Sequence, residues 1–151
     1  MLDVVAIRQG LAGNLAAVFL PDHAHVYANM VSDPGTPSLQ IWPDEIDYHQ
    51  TLQQGVQTGL FIVQALVGVT GDQAVQQTLD AMLASEAGLS VLAAIEADTD
   101  LTKRLTPDGQ LLTGQAAAAL DVTVVRCTGY RIYDITGGPF VGAAWEVEVK
   151  A

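Results

Sequence analysis

Residues 141–149 read Val-Gly-Ala-Ala-Trp-Glu-Val-Glu-Val, and their alternation decides the fold class. Val141, Ala143, Trp145, Val147 and Val149 fall on one face; Gly142, Ala144, Glu146 and Glu148 fall on the other. A strand presents successive side chains to opposite sides, so this stretch predicts a strand with one face on a core and one half-exposed. The run before it, Val122 to Tyr133, also alternates, and Thr136-Gly137-Gly138-Pro139 supplies a turn. The two runs predict a C-terminal antiparallel hairpin.

Working outward from the hairpin, two short helices are expected. Asp72 to Ser85 carries Val75, Leu79, Met82 and Leu83 on one stripe, with Asp72 as N-cap and Gly88 closing the segment. Ser90 to Ala97 places Leu92, Ala93 and Ala97 on one side. Between the helices and the hairpin, Thr106 to Ala119 reads as a loop or marginal helix: Pro107-Asp108-Gly109 is a turn, and the Ala run needs support to stay helical.

Upstream lie three strand candidates. Val56 to Val69 is apolar on both faces at Leu60-Phe61-Ile62-Val63, as a central strand would be. Ser38 to Tyr48 contains Pro43, which donates to no ladder, so the strand is broken or lies on an edge there. His23 to Val31 is short and ends at Ser32-Asp33-Pro34-Gly35, a turn signal. Residues 3 to 20 predict an amphipathic helix with Ile7, Leu11, Leu15 and Val18 in phase, Asp3 as N-cap and Pro21 as stop. Gly10 and Gly13 weaken that helix, so packing must hold it. The expected order is α-β-β-β-α-α-β-β: an α+β domain spanning 1–151, with a mainly antiparallel sheet of about five strands and the helices on one face.

Composition narrows the function classes. The chain has 151 residues, half of them hydrophobic, enough to bury a core. Six Lys and Arg face seventeen Asp and Glu, a formal charge of −11. Residues 9 to 102 hold no Lys or Arg. Binding a nucleic-acid backbone or an acidic membrane takes positive groups, so neither role fits. The N-terminus MLDVVAIRQG lacks the basic start of a secretory leader, and Leu60 to Val69 is too short to span a membrane, so a soluble chain is expected.

Chemistry is sparse. No serine sits in a G-x-S-x-G elbow, no glycine loop has phosphate-binding spacing, and Cys127 is a lone strand cysteine. His23 and His25, two apart on a strand, would share a face, and with His49 they are the basis for a small metal-binding hydrolase as the rival reading. The acids Asp44-Glu45-Asp47 and Glu96-Asp98-Asp100 lack a calcium-loop pattern; Asp98 or Asp100 is expected to cap the turn after the second short helix. No catalytic, cofactor or metal residues are assigned, and an enzyme is not expected. Exposed strand edges on an acidic domain favour a structural or assembly role.

Four ordered strings add a resemblance. They are Glu45-Ile46-Asp47-Tyr48 with Thr51 and Gly55; Leu66-Val67-Gly68 with Asp72, Gln76, Leu79-Asp80 and Leu83; Val91, Ala94-Ile95-Glu96-Ala97-Asp98 and Leu101; and Cys127-Thr128-Gly129-Tyr130 with Gly142 to Val149. In order and spacing they resemble the tail terminator (tail completion) proteins of long-tailed, siphovirus-type bacteriophages, especially those of actinobacteria. Two departures stand out. Ala144 occupies a position usually acidic in that family, and Thr106 to Ala119 is extra.

The resemblance implies a virion protein assembled in the host cytoplasm. It would form a ring, commonly a hexamer, that caps the head-proximal end of the tail tube and stops tube polymerisation. Its partners would be itself, the major tail tube protein and the head-to-tail connector or stopper, with genomic DNA passing through unbound. A head-side neck protein (stopper or adaptor) is the near alternative. Loops on a rigid sheet usually carry contacts, so the interface is expected at His49, Gln53, Gln54 and Gln57 and at Asp108 and Gln110. Arg126 and Arg131 join them as scarce cations able to meet a neighbour's acids.

Overall fold

A computed structural model describes residues 2–20, 22–30, 35, 37–48, 56–69, 73–85, 88–135 and 138–151. The elements are α1 (Val4–Phe19), β1 (His25–Tyr27), β2 (Ser38–Asp47), β3 (Thr58–Val69), α2 (Gln73–Met82), α3 (Val91–Glu96), β4 (Arg104–Leu105), β5 (Leu111–Leu112), β6 (Asp121–Ile135) and β7 (Gly138–Lys150). The main sheet runs β1-β2-β3-β7-β6, and β4 and β5 form a separate two-stranded ladder. The α+β architecture with helices on one face is therefore as the sequence implied.

The decisive alternation does what it should. Val141, Ala143, Trp145, Val147 and Val149 are all buried, while Ala144, Glu146 and Glu148 on the other face are half-buried. β3 lies between β2 and β7, antiparallel to both. Its Phe61, Val63 and Ala65 enter the core, and Leu60 and Ile62 lie half-buried on the opposite face. Each fully buried aliphatic or aromatic side chain contributes about 1.5–3 kcal/mol relative to exposure, so this shared layer dominates stability.

Pro43 sits where both expectations meet. β1 pairs only with Ser38, Leu39 and Gln40, so β2 has an open outer side at Pro43, and its register with β3 shifts between Pro43 and Glu45. The missing N–H thus breaks no ladder on that side. The first strand differs from expectation. Only His25–Tyr27 is extended, and it runs parallel to β2. His23 belongs to the turn that closes α1, its N–H donating to the Phe19 carbonyl, so His23 and His25 do not share a strand face.

α1 also departs from a simple amphipathic helix. Asp3 caps it as expected, accepting from Ala6 N–H at 3.1 Å. But Ile7, Gly10, Leu11, Ala12, Gly13, Asn14, Leu15, Ala16 and Phe19 are all buried, more than one face can supply. The cause is a second layer, residues 98–119, lying across the helix. A Cβ on Gly10 would stand 2.8 Å from Leu101 Cβ, and one on Gly13 2.9 Å from the Lys103 carbonyl carbon and the Arg104 nitrogen. Gly13 therefore lets backbone approach backbone, and Gly10 admits the Leu101 side chain. Asn14 adds a polar tie: its Nδ2 donates to the carbonyls of Ile95 and Asp98, both at 2.9 Å, satisfying the C-terminal end of α3.

Residues 106–119 form no helix. Thr106 N–H donates to Gln110 O, closing a turn between β4 and β5. Gln115 N–H donates to Thr102 O, and Ala118 and Ala119 N–H to Asp100 O. Arg104 holds the carbonyls of Leu101, Lys103 and Ala116. These bonds claim the backbone donors an Ala helix would have used. The N-cap expected at Asp72 and the turn at 136–137 lie outside the described residues.

Candidate functional site

The two edges of the sheet are built differently, and the exposed chemistry gathers there. β6 has β7 on one side and, among the described residues, no strand on the other. It bulges twice against β7, between Val124 and Arg126 and between Thr128 and Arg131. The second bulge carries Gly129 at φ +66°, a conformation that suits glycine, and Tyr133 Oη donates to the Gly129 carbonyl at 2.7 Å. From the first bulge onward the strand is exposed: Val125, Tyr130 and Ile132 are 43, 48 and 57% accessible. Below it, the Val124 N–H donates to Glu96 Oε1 of α3 at 3.1 Å, so a carboxylate covers part of that edge.

Register assigns a face to each β6 side chain. Cys127, Ile132 and Asp134 pair with Trp145, Val141 and Pro139, and Trp145 and Val141 face the helix side. Tyr130 also reaches the helix side, its Oη donating to Asp80 of α2 at 3.1 Å. Partial burial, with the Asp80 bond and charge, raises the Tyr130 pKa. Arg126, Thr128 and Arg131 lie on the opposite face. There Trp42, Ile62, Glu146 and Arg126 make one row across four strands, and Arg126 Nε meets Glu146 Oε2 at 2.8 Å. The Arg131 guanidinium stacks over the Tyr133 ring, 4.8 Å from its centre.

At the other edge a groove of about 410 Å³ opens beside β1, between the first half of α1 and the turn after β4. Val5, Val26, Leu105 and Pro107 give it an apolar floor, and Arg8, Gln9, Asn29 and Asp108 give it polar walls. Val5 is 58% accessible although the same helix buries Ile7, Leu11, Leu15 and Phe19. Arg8 is half-buried, and no carboxylate lies within ion-pair distance of it among the described residues.

The residues singled out from sequence scatter against this geometry. His49, Gln53 and Gln54 lie outside the described residues. Gln57 is used internally: its backbone exchanges bonds with Ala151 at 2.8 and 2.9 Å, and its Oε1 accepts from Leu2 N–H. Asp108 and Gln110 are exposed on the β4–β5 turn, and only Asp108 lines the groove. Arg126 and Arg131 share the open face of β6. Missed were Val5, Tyr130, Ile132 and Asp134, and the pocket around Arg8. One signal was legible: Arg8 is the only cation before Lys103.

Among the described residues no three of His, Cys, Asp and Glu are grouped to hold a metal. His25 stacks on Tyr27, and burial pushes the Cys127 thiol up, away from the reactive thiolate. No helix of the described residues is long and apolar enough to cross a membrane. The chain matches no protein-family model and no curated protein.

Proposed function

We propose that this chain is a structural virion protein of a long-tailed bacteriophage, a tail terminator. Copies of it close into a ring, commonly a hexamer, on the head-proximal end of the tail tube. The ring stops addition of tube subunits and joins the tail to the head connector, and DNA passes through its hole. It is assembled in the host cytoplasm, resides in the virion and performs no bond-breaking chemistry of its own.

One observation carries the reading beyond the resemblance: a sheet whose two outer edges are unlike. A ring needs a heterologous contact, in which one patch meets a different patch on the next copy. An exposed β6 opposite a β1 with a groove supplies two such patches on opposite sides of one sheet. The acidity fits the same role, since a chain at −11, with six Lys and Arg against seventeen Asp and Glu, offers phosphates few cations to release counterions against.

The test is to polymerise purified tail tube protein with and without this chain. Tubes that stop growing, with density of this chain at one end only, are expected. Tubes of unchanged growth with no bound chain would contradict the proposal.

A further inference from the structure

We propose that the ring contact is an edge-to-edge strand addition, in which Tyr130–Asp134 of one copy lies along β1 of the next. There Ile132 seats in the groove and Asp134 pairs with Arg8. The inference rests on the ring reading and names the surfaces that would make it.

Three observations select this occupant. The first is position: β1 and β6 are the two ends of the sheet order, so continuing the sheet from one copy to another joins them. The second is facing. Ile132 and Asp134 register with Val141 and Pro139 on the helix side of their own sheet. If the sheet continues into the neighbour, its helix side continues too, and there the groove opens between α1 and the β4–β5 turn. Ile132 and Val5, among the most exposed apolar side chains at 57 and 58%, then cover one another. The third is charge. Arg8 and Asp134 are without an ion pair among the described residues, one half-buried in the groove and one exposed on the edge. Three other cations are engaged at home: Arg126 by Glu146, Lys150 by Glu148 and Arg104 by backbone carbonyls; Lys103 is not among the residues that line the groove. Arg131 and Tyr133, on the opposite face of β6, would come beside the stacked His25 and Tyr27 of the next copy.

The β6 edge suits such pairing. Edge strands present unpaired backbone groups that another strand completes. Glu96 occupies the lower part of β6 at Val124, which leaves the stretch beyond the first bulge as the part open to a partner.

The test uses the full chain in a Cys127→Ser background, with Val5→Cys and Ile132→Cys placed separately and together. A short bis-maleimide should convert the double variant into a ladder of linked copies ending at the ring number, while each single variant stays unlinked. Linked dimers of either single variant would mean like edges meet, and that overturns the proposal. So does the absence of a ladder. As a second measurement, Arg8→Glu or Asp134→Arg alone should raise the concentration for half-assembly about tenfold, and the double reversal should restore it to within a few-fold. Single reversals without effect would also overturn the contact. A fixed-size oligomer that gives no ladder removes the edge contact and leaves the ring reading in place. A ladder from particles that grow without closing keeps the contact and removes the ring reading.

Discussion

Gly13 shows how much of this fold rests on single atoms. A methyl there would meet the Lys103 and Arg104 backbone at 2.9 Å, and backbone yields less than a side chain does. Helix propensity alone favours Gly13→Ala by about 1 kcal/mol. Overpacking should outweigh it, for a net loss of about 1–3 kcal/mol in urea denaturation; a stabilised variant would show that residues 98–119 do not clamp α1. Asp98 is the second such residue. Burial works against its charge, but Thr102 donates to it from Oγ1 at 2.6 Å and from N–H at 2.8 Å, and with Lys103 nearby its pKa falls below the ordinary value of 3.8. A carboxyl held low when folded stabilises the protein above its unfolded pKa, and that contribution fades as pH falls through the folded value. Asp98→Asn should therefore cost about 1 kcal/mol at neutral pH and progressively less in strong acid. Equal losses at pH 7 and pH 2 would rule out the linkage.

At the scale of elements, what the sequence disclosed depended on periodicity. β7 and the C-terminal hairpin were legible because burial on one face of a sheet imposes a period of two, and Val141 to Val149 obeys it; β3 was legible because Leu60 to Val63 is apolar on both faces, as a central strand is. The cap at Asp3 was legible because it is local. The burial of α1 on several sides was not, because it depends on residues 98–119 arriving from far along the chain; Gly10 and Gly13 were its only trace. The route of 106–119 was hidden for a similar reason. Its Ala run is held extended by Asp100 and Arg104, partners that composition does not reveal. Of the site, loops pointed to contact residues only by position, and Gln57 bonds its backbone to Ala151 just ahead of β3. The groove was invisible because it joins α1, β1 and the β4–β5 turn. One element-scale prediction follows from Glu96. Glu96→Ala frees the Val124 N–H and lengthens the open part of β6. Thermal stability should drop by about 0.5–1 kcal/mol, and sedimentation should detect oligomers at lower protein concentration than in the wild type. Weaker self-association would show that Glu96 takes part in the contact.

For the whole molecule, charge and edges work against one another. At −11, copies of a half-apolar chain repel one another, and in the proposed ring that repulsion would oppose premature assembly. Salt screens that general repulsion, and it equally weakens an exposed ion pair such as Arg8 with Asp134. In the Arg8→Glu, Asp134→Arg double variant both effects persist. In Arg8→Ala only the repulsion remains, so raising salt should promote assembly of Arg8→Ala more than of the wild type. The same response in both proteins would argue against Arg8 as a contact. In the proposed ring this polypeptide works by closing upon copies of itself through unlike edges. That closure is tested most directly by the mass of the native particle as protein concentration rises, alone and with tail tube protein. Closure through unlike edges requires a transition from single copies to one closed species of fixed copy number, sharpened by the tube protein. Single copies throughout, or a spread of sizes that grows without limit, would contradict it.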